Sequence, residues 1–174
     1  FNATPAEIAA VVKRYGAVGQ ASGLRPEQSA ALAAALINPG TEKEIAGTGM
    51  KNFLAALTKG GASTKGQREA WSSLGMDPED LAKQMQQDAP ATMIGVLQAI
   101  KAQPVEEQSA LTTQLFGSES IGAIMPLLQN LGAVEKAFGM VANSADRAGS
   151  MMVEAEQKAG TPRGARDALS LLNI

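Results

Sequence analysis

The sequence contains no cysteine and no histidine among its 174 residues. It therefore has no disulfide, no thiolate or imidazole metal ligand, and no catalytic group built on a cysteine nucleophile or a histidine base. Glycine, proline or a charged residue interrupts every apolar run before the ~18–20 residues that a membrane span requires. We accordingly predict no cofactor, no metal site and no membrane span in this segment.

Excess charge of one sign is also lacking. The 15 basic and 17 acidic residues give a net charge of -2 and a pI near 5.2, without the positive field on which nucleic-acid binding relies. We predict no specific nucleic-acid partner. The chain begins with Phe1 and has no signal-peptide pattern, so we expect it to be part of a longer protein.

Helix start signals recur along the chain. They consist of a capping side chain, of proline or an acidic residue in the first turn, or of both, followed by apolar residues at helical spacing. No segment alternates as a strand would. The predicted starts lie at Thr4-Pro5, Pro26, Thr41-Glu42-Lys43-Glu44, Ser63-Thr64, Asp77-Pro78, Asp88-Ala89-Pro90, Pro104 and Ser118. We predict an all-α fold, an irregular bundle of about eight or nine short helices with a projecting C-terminal helix.

The predicted bundle and tail differ in composition. We expect a helical bundle core over 1–142 and a polar helical tail over 143–174 that leads into missing sequence. Methionines on apolar helix faces are expected in the core, whereas Met151 and Met152 lie in the polar tail and are a possible partner contact. Gly47 and Gly49 lie inside a predicted helix, where they indicate a close crossing or a bend.

Candidate catalytic residues have simpler structural explanations. Asp77, Glu79, Asp80 and Asp88 form the densest acidic cluster, and paired carboxylates can hydrolyse glycosides. The same residues lie at predicted N-caps and first turns, where the helix dipole favours acids. Gly47-Thr48-Gly49 with Lys51 lacks the preceding strand and the Gly-Lys-Ser/Thr motif of a phosphate-binding loop. We assign no catalytic residue and predict that the chain is not an enzyme.

Five blocks of sequence, in order and at matching spacing, carry a family resemblance. The blocks are Gly19–Leu32, Ala46–Leu54, Leu74–Asp77, Leu115–Ser120 followed by Ile124–Leu128, and Ser150–Glu154. Together they resemble the core region of phage tail tape measure proteins, in the phage-related minor tail protein family. One departure is Trp71, where a smaller aromatic residue such as phenylalanine is expected.

The resemblance implies a structural role in a phage or prophage tail. Tape measure proteins occupy the tail lumen, set tail length and leave ahead of DNA during ejection. The implied partners are the tail tube protein, tail tip or baseplate proteins and tail assembly chaperones, with self-association of the full-length protein. The implied locations are the virion tail lumen and, during assembly, the host bacterial cytoplasm. Two alternatives stay open, a small all-helical peptidoglycan hydrolase and a helical adaptor module.

Overall fold

The structure, a computed structural model, describes residues 3–142. The chain divides into two compact units, Phe1–Phe138 and Gly139–Ile174. The predicted projecting tail over 143–174, including Met151 and Met152, lies outside the described residues. The domain division at 142 and the partner contact of these methionines therefore stay predictions.

Helices account for most of the described chain. In order they are α1 (Pro5–Ala21), α2 (Pro26–Ile37), α3 (Lys43–Thr58), α4 (Lys65–Ser73), α5 (Pro78–Gln87), α6 (Ala89–Lys101), α7 (Val105–Phe116) and α8 (Ile121–Gln129). Residues 131–142 are also helical, and single 3-10 turns lie at Gly60–Ala62 and Ser118–Ser120. No strand occurs between residues 3 and 142. The all-α prediction is confirmed.

Local capping explains where several helices begin. The Thr4 hydroxyl accepts from the Glu7 backbone N–H at 3.2 Å, and the Glu7 carboxylate accepts from the Thr4 N–H at 3.2 Å. Asp77 accepts from the Glu79 N–H at 2.9 Å, and Asp88 accepts from the Ala91 N–H at 3.1 Å. These bonds satisfy N–H groups that have no partner inside the helix, so the predicted starts at Thr4, Asp77 and Asp88 are confirmed.

The predicted capping box at Thr41 is wrong. The N-cap of α3 is Glu42, which makes no side-chain cap, and the Thr41 hydroxyl instead lies 3.5 Å from the Gly122 carbonyl of α8. That carbonyl lacks its helical donor because Pro126, four residues on, has no N–H. A tertiary partner thus replaces the local one.

The predicted cap at Ser118 is also wrong. Ser118–Ser120 forms a 3-10 turn, and α8 begins only at Ile121. Ser120, which precedes it, makes no side-chain cap because its hydroxyl donates to the Phe116 carbonyl at 2.8 Å and accepts from the Asn52 amide at 2.9 Å. The serine therefore closes α7 rather than opening α8.

Helix α1 continues through Gly19 to Ala21, and the left-handed residue that follows it is Gly23 at φ +98°. Gly19 is buried in the crossing with α2, where it faces Ser29, whereas the neighbouring Val18 is 36% exposed.

The core is built around α3. This helix buries Met50, Phe53, Leu54 and Leu57 and packs against α1, α2, α5, α7 and α8. The Phe53 and Phe116 ring centroids lie 5.1 Å apart, and the Trp71 ring meets Phe116 edge-on at 6.4 Å. Aromatic and methionine side chains therefore fill the centre of the first unit.

The two glycines of α3 mark close crossings, as predicted. Gly47 faces the Tyr15 ring of α1, and Gly49 faces Ala123 of α8. A Cβ atom at position 49 would lie 2.5 Å from the Ala123 Cβ, closer than packed carbons approach. Glycine there permits a helix separation that any side chain would increase.

Candidate functional site

The acidic cluster singled out in the sequence lies at the start of α5 and α6. Asp77 and Asp88 are the N-caps of these helices, and Glu79 lies in the first turn of α5. The Arg68 guanidinium of α4 donates to the Glu79 carboxylate at 2.8 Å and to the Gly61 carbonyl at 3.1 Å. The cluster thus caps helices and joins α4 to α5.

Hydrogen bonds shift the pKa values of two of these carboxyls, Glu79 and Asp77. The hydrogen bond from Arg68, followed by one shared with the Asp77 side chain, lowers the pKa of Glu79 to about 2. The shared hydrogen bond with Glu79 raises the pKa of Asp77. A glycosidase acid must instead hold its proton near neutral pH. Glu79 has the opposite tuning, so the described geometry does not favour the hydrolase alternative.

Surface clefts lie at two places on the described helices, and the first includes part of the acidic cluster. One, of about 300 Å³, lies between α5 and α6 and includes Asp77, Asp80 and Thr92 in its lining. Another, of about 290 Å³, is lined by residues of α3, α4 and the α7 end, including Lys59 and Gln67. Across residues 3–142, no group of acidic side chains is arranged to hold a metal ion.

The glycine-rich stretch that was compared with a phosphate-binding loop is not a loop in the structure. Gly47, Thr48 and Gly49 all lie inside α3, where backbone amides are used by the helix. Gly47 and Gly49 are also covered by Tyr15 and Ala123. These residues serve helix packing, and no backbone N–H group among them is presented to a ligand.

A buried polar connection that sequence reasoning missed joins α4 to α7. Gln67 is 8% exposed, and its carboxamide accepts from the Thr64 N–H at 3.0 Å and donates to the Leu115 carbonyl at 3.0 Å. The Thr64-x-x-Gln67 spacing is a capping-box signature, so the first bond was visible in the sequence. The second was not, because its partners are separated by 48 residues.

A neighbouring polar contact completes the end of α7. The Asn52 side chain donates to Glu119 at 3.0 Å and to Ser120 at 2.9 Å. Ser120 in turn donates to the Phe116 carbonyl. These side chains hold the 3-10 turn against α3 and provide a partner for a carbonyl at the helix C-terminus. Their arrangement is structural.

Comparison with known proteins shows which family this chain belongs to. The family model for phage-related minor tail proteins matches residues 1–117, about two thirds of the chain. The chain belongs to this family, which confirms the sequence resemblance, and it is part of a phage tail protein.

A phage protein is similar to almost the whole of this chain. The chain is 52% identical over 163 residues to the probable tape measure protein of Halomonas phage phiHAP-1. The match covers 94% of this chain and 19% of that protein, so the chain spans about a fifth of its relative's length. No solved structure matches the chain. Within residues 3–142, no helix has both the length and the apolar character needed to cross a bilayer.

Proposed function

We propose that this chain is a folded module of a phage or prophage tail tape measure protein, acting in tail assembly, tail length determination and DNA ejection. The observation that carries this function is the 52% identity to a probable tape measure protein over 94% of the chain. The family match over residues 1–117 supports the same tail role independently. We infer that the module lies in the virion tail lumen and, before assembly, in the host bacterial cytoplasm.

The partners follow from the same role. We propose contacts with the tail tube protein, with tail tip or baseplate proteins and with tail assembly chaperones, and self-association of the full-length protein. In the polar tail over 143–174, Met151 and Met152 are the proposed partner contact. We also infer a role without catalysis, supported by the use of Asp77, Glu79 and Asp88 in capping and ion pairing.

Length arithmetic defines two states that the module could occupy. The 174 residues drawn out as one helix would measure about 260 Å, at ~1.5 Å per residue. The 138 residues of the first unit, when compact, have an expected radius of gyration of about 14 Å. Whether these residues are counted as tail length therefore depends on whether they are extended in the particle.

The experiment is an in-frame deletion of residues 1–174 from the parent gene, with tail lengths measured by electron microscopy. Tails shortened by about 260 Å would show that the segment is extended in the tail and that its length contributes to tail length. Tails of unchanged length on particles that are not infectious, or no tails, would show that it acts as a folded module in initiation or ejection.

A matched control replaces the segment with an unrelated helical sequence of 174 residues. A ruler tolerates this exchange without a change in tail length, because only helix length is counted. A module with a specific partner surface does not tolerate it. Normal, infectious particles of unchanged length after the deletion would refute the assignment for this segment.

A further inference from the structure

Helix α1 is the longest of α1–α8, yet it has the fewest buried residues. Of its 17 residues only Val11 and Gly19 are buried. By comparison, α2 buries seven of 12 residues and α3 buries eight of 16. Because burial of apolar surface is the main stabilising contribution in folding, α1 gains less from complete burial of its side chains than the two helices it covers.

Polar contacts do not compensate for this thin burial. Among the described residues, one side-chain hydrogen bond joins α1 to a distant element, from the exposed Gln86 amide to the Ala21 carbonyl at 3.1 Å. None of the ion pairs in the described part of the chain involves α1. The Arg14 guanidinium lies over the ring of its own neighbour, Tyr15. The charged groups of α1 therefore do not attach it to the bundle.

The crossing with α2 carries a cost of its own. The Ser29 hydroxyl is buried against Gly19 without a hydrogen-bond partner. When α1 closes over Ser29, the serine hydroxyl loses its water and gains no hydrogen bond within the protein. Opening α1 restores that hydration, so this contact favours the open form relative to a satisfied or apolar crossing.

We propose that α1 is a strap that opens as a unit from α2 and α3 while the bundle centred on α3 stays folded. The hinge is the turn at Ser22–Arg25, where Gly23 has φ +98°. The Phe53, Trp71 and Phe116 core lies in other helices and is retained on opening. In the proposed tape measure role, strap opening is the first step by which the module lengthens.

The role of strap opening in lengthening the module rests on the proposed function, but the opening of α1 itself does not. It is measured on the 174-residue chain in solution, whereas the tail role is measured on particles after a gene deletion. If exchange shows that α1 does not open separately, the tail assignment is unaffected. If the deletion experiment refutes the tail assignment, the opening of α1 is unaffected.

Native-state hydrogen exchange at increasing urea concentrations, below the unfolding transition, tests the strap directly. We expect amides in α1 to exchange at least tenfold faster than those around Phe53, on the order of the differences that separate partial from global opening. Their exchange should also depend less on urea, because opening α1 exposes less surface than global unfolding. If α1 amides follow the same opening free energy and urea dependence as α3, the proposal is overturned.

A matched pair of variants separates the strap crossing from the core crossing. Gly47→Ala and Gly49→Ala place the same methyl group two residues apart on α3, with the same gain in helix propensity. The first methyl meets the half-buried Tyr15 ring of α1, whereas the second meets Ala123 of α8.

Gly47→Ala raises the free energy of the closed form relative to both the strap-open and the unfolded forms, so we expect it to accelerate exchange in α1 and α3 by the same factor, about tenfold. Gly49→Ala weakens a crossing that the strap-open form retains, so we expect it to lower the urea midpoint and accelerate exchange in α3 while exchange in α1 stays unchanged. If Gly49→Ala accelerates exchange in α1 as much as in α3, α1 opens only with the whole domain and the proposal fails.

Discussion

Replacement of Gln67 by glutamate tests the buried connection between α4 and α7. The wild-type carboxamide accepts from the Thr64 N–H and donates to the Leu115 carbonyl, each at 3.0 Å. Gln67→Glu keeps the shape and the acceptor but places a carboxylate oxygen against that carbonyl. The helix cap survives, and only the link to α7 is lost.

The expected loss is about 2–4 kcal/mol near pH 7. An unpaired buried carbonyl costs about 1–3 kcal/mol, and desolvation of the new charge adds to it. The protonated side chain can again donate to Leu115, so folding raises the pKa of the introduced carboxyl above its unfolded value of about 4.3. The restored stability is therefore present below about pH 4.3 and is lost as the pH rises through the folded-state pKa.

Urea unfolding followed by circular dichroism, near pH 7 and near pH 4, measures the difference from wild type at each pH. Gln86→Glu is the matched control, because the Gln86 amide also donates to a backbone carbonyl, at 3.1 Å, but is exposed. The control should change stability by less than about 0.5 kcal/mol. A Gln67→Glu variant as stable as wild type near pH 7, or equally impaired at both pH values, would refute the argument.

Two further variants test the centre of the core and the acidic cluster. Trp71→Phe should cost less than about 1 kcal/mol in urea unfolding, because removal of an indole N–H that is buried without a partner offsets the lost packing. A loss above about 3 kcal/mol would contradict that account. Wild-type stability should include a contribution from Glu79 that is present above its ordinary pKa of 4.5 and is lost as the pH falls towards about 2. Thermal melts between those pH values should show a weaker acid dependence for Glu79→Gln, and an identical dependence would rule out the Arg68 pairing as its source.

Helix starts could be predicted wherever the capping bond is local. The Thr4, Asp77 and Asp88 side chains each bond a backbone N–H two or three residues away, and that spacing is present in the sequence itself. The prediction failed at Thr41 because its hydroxyl is directed to Gly122, 81 residues distant. Competition between a local N–H donor and a tertiary carbonyl acceptor cannot be resolved from a short stretch of chain.

The candidate site shows the same limit. The sequence located the acidic cluster and its capping role, but the lowered pKa of Glu79 depends on Arg68, which lies on a different helix. Gln67 was missed because its second partner, Leu115, lies in α7. Side-chain pKa values and buried hydrogen bonds depend on neighbours that only folding brings together.

The sequence by itself determined the all-α class, most helix boundaries and the phage tail family. Helix periodicity, capping and proline chemistry act over a few residues and are therefore present before any tertiary contact forms. The tertiary structure decided that Gly47 meets Tyr15, that Gly49 meets Ala123 and that α1 buries so little of its surface. Those outcomes depend on how whole helices share a limited interior, because burial of one face against α3 excludes others from the same space.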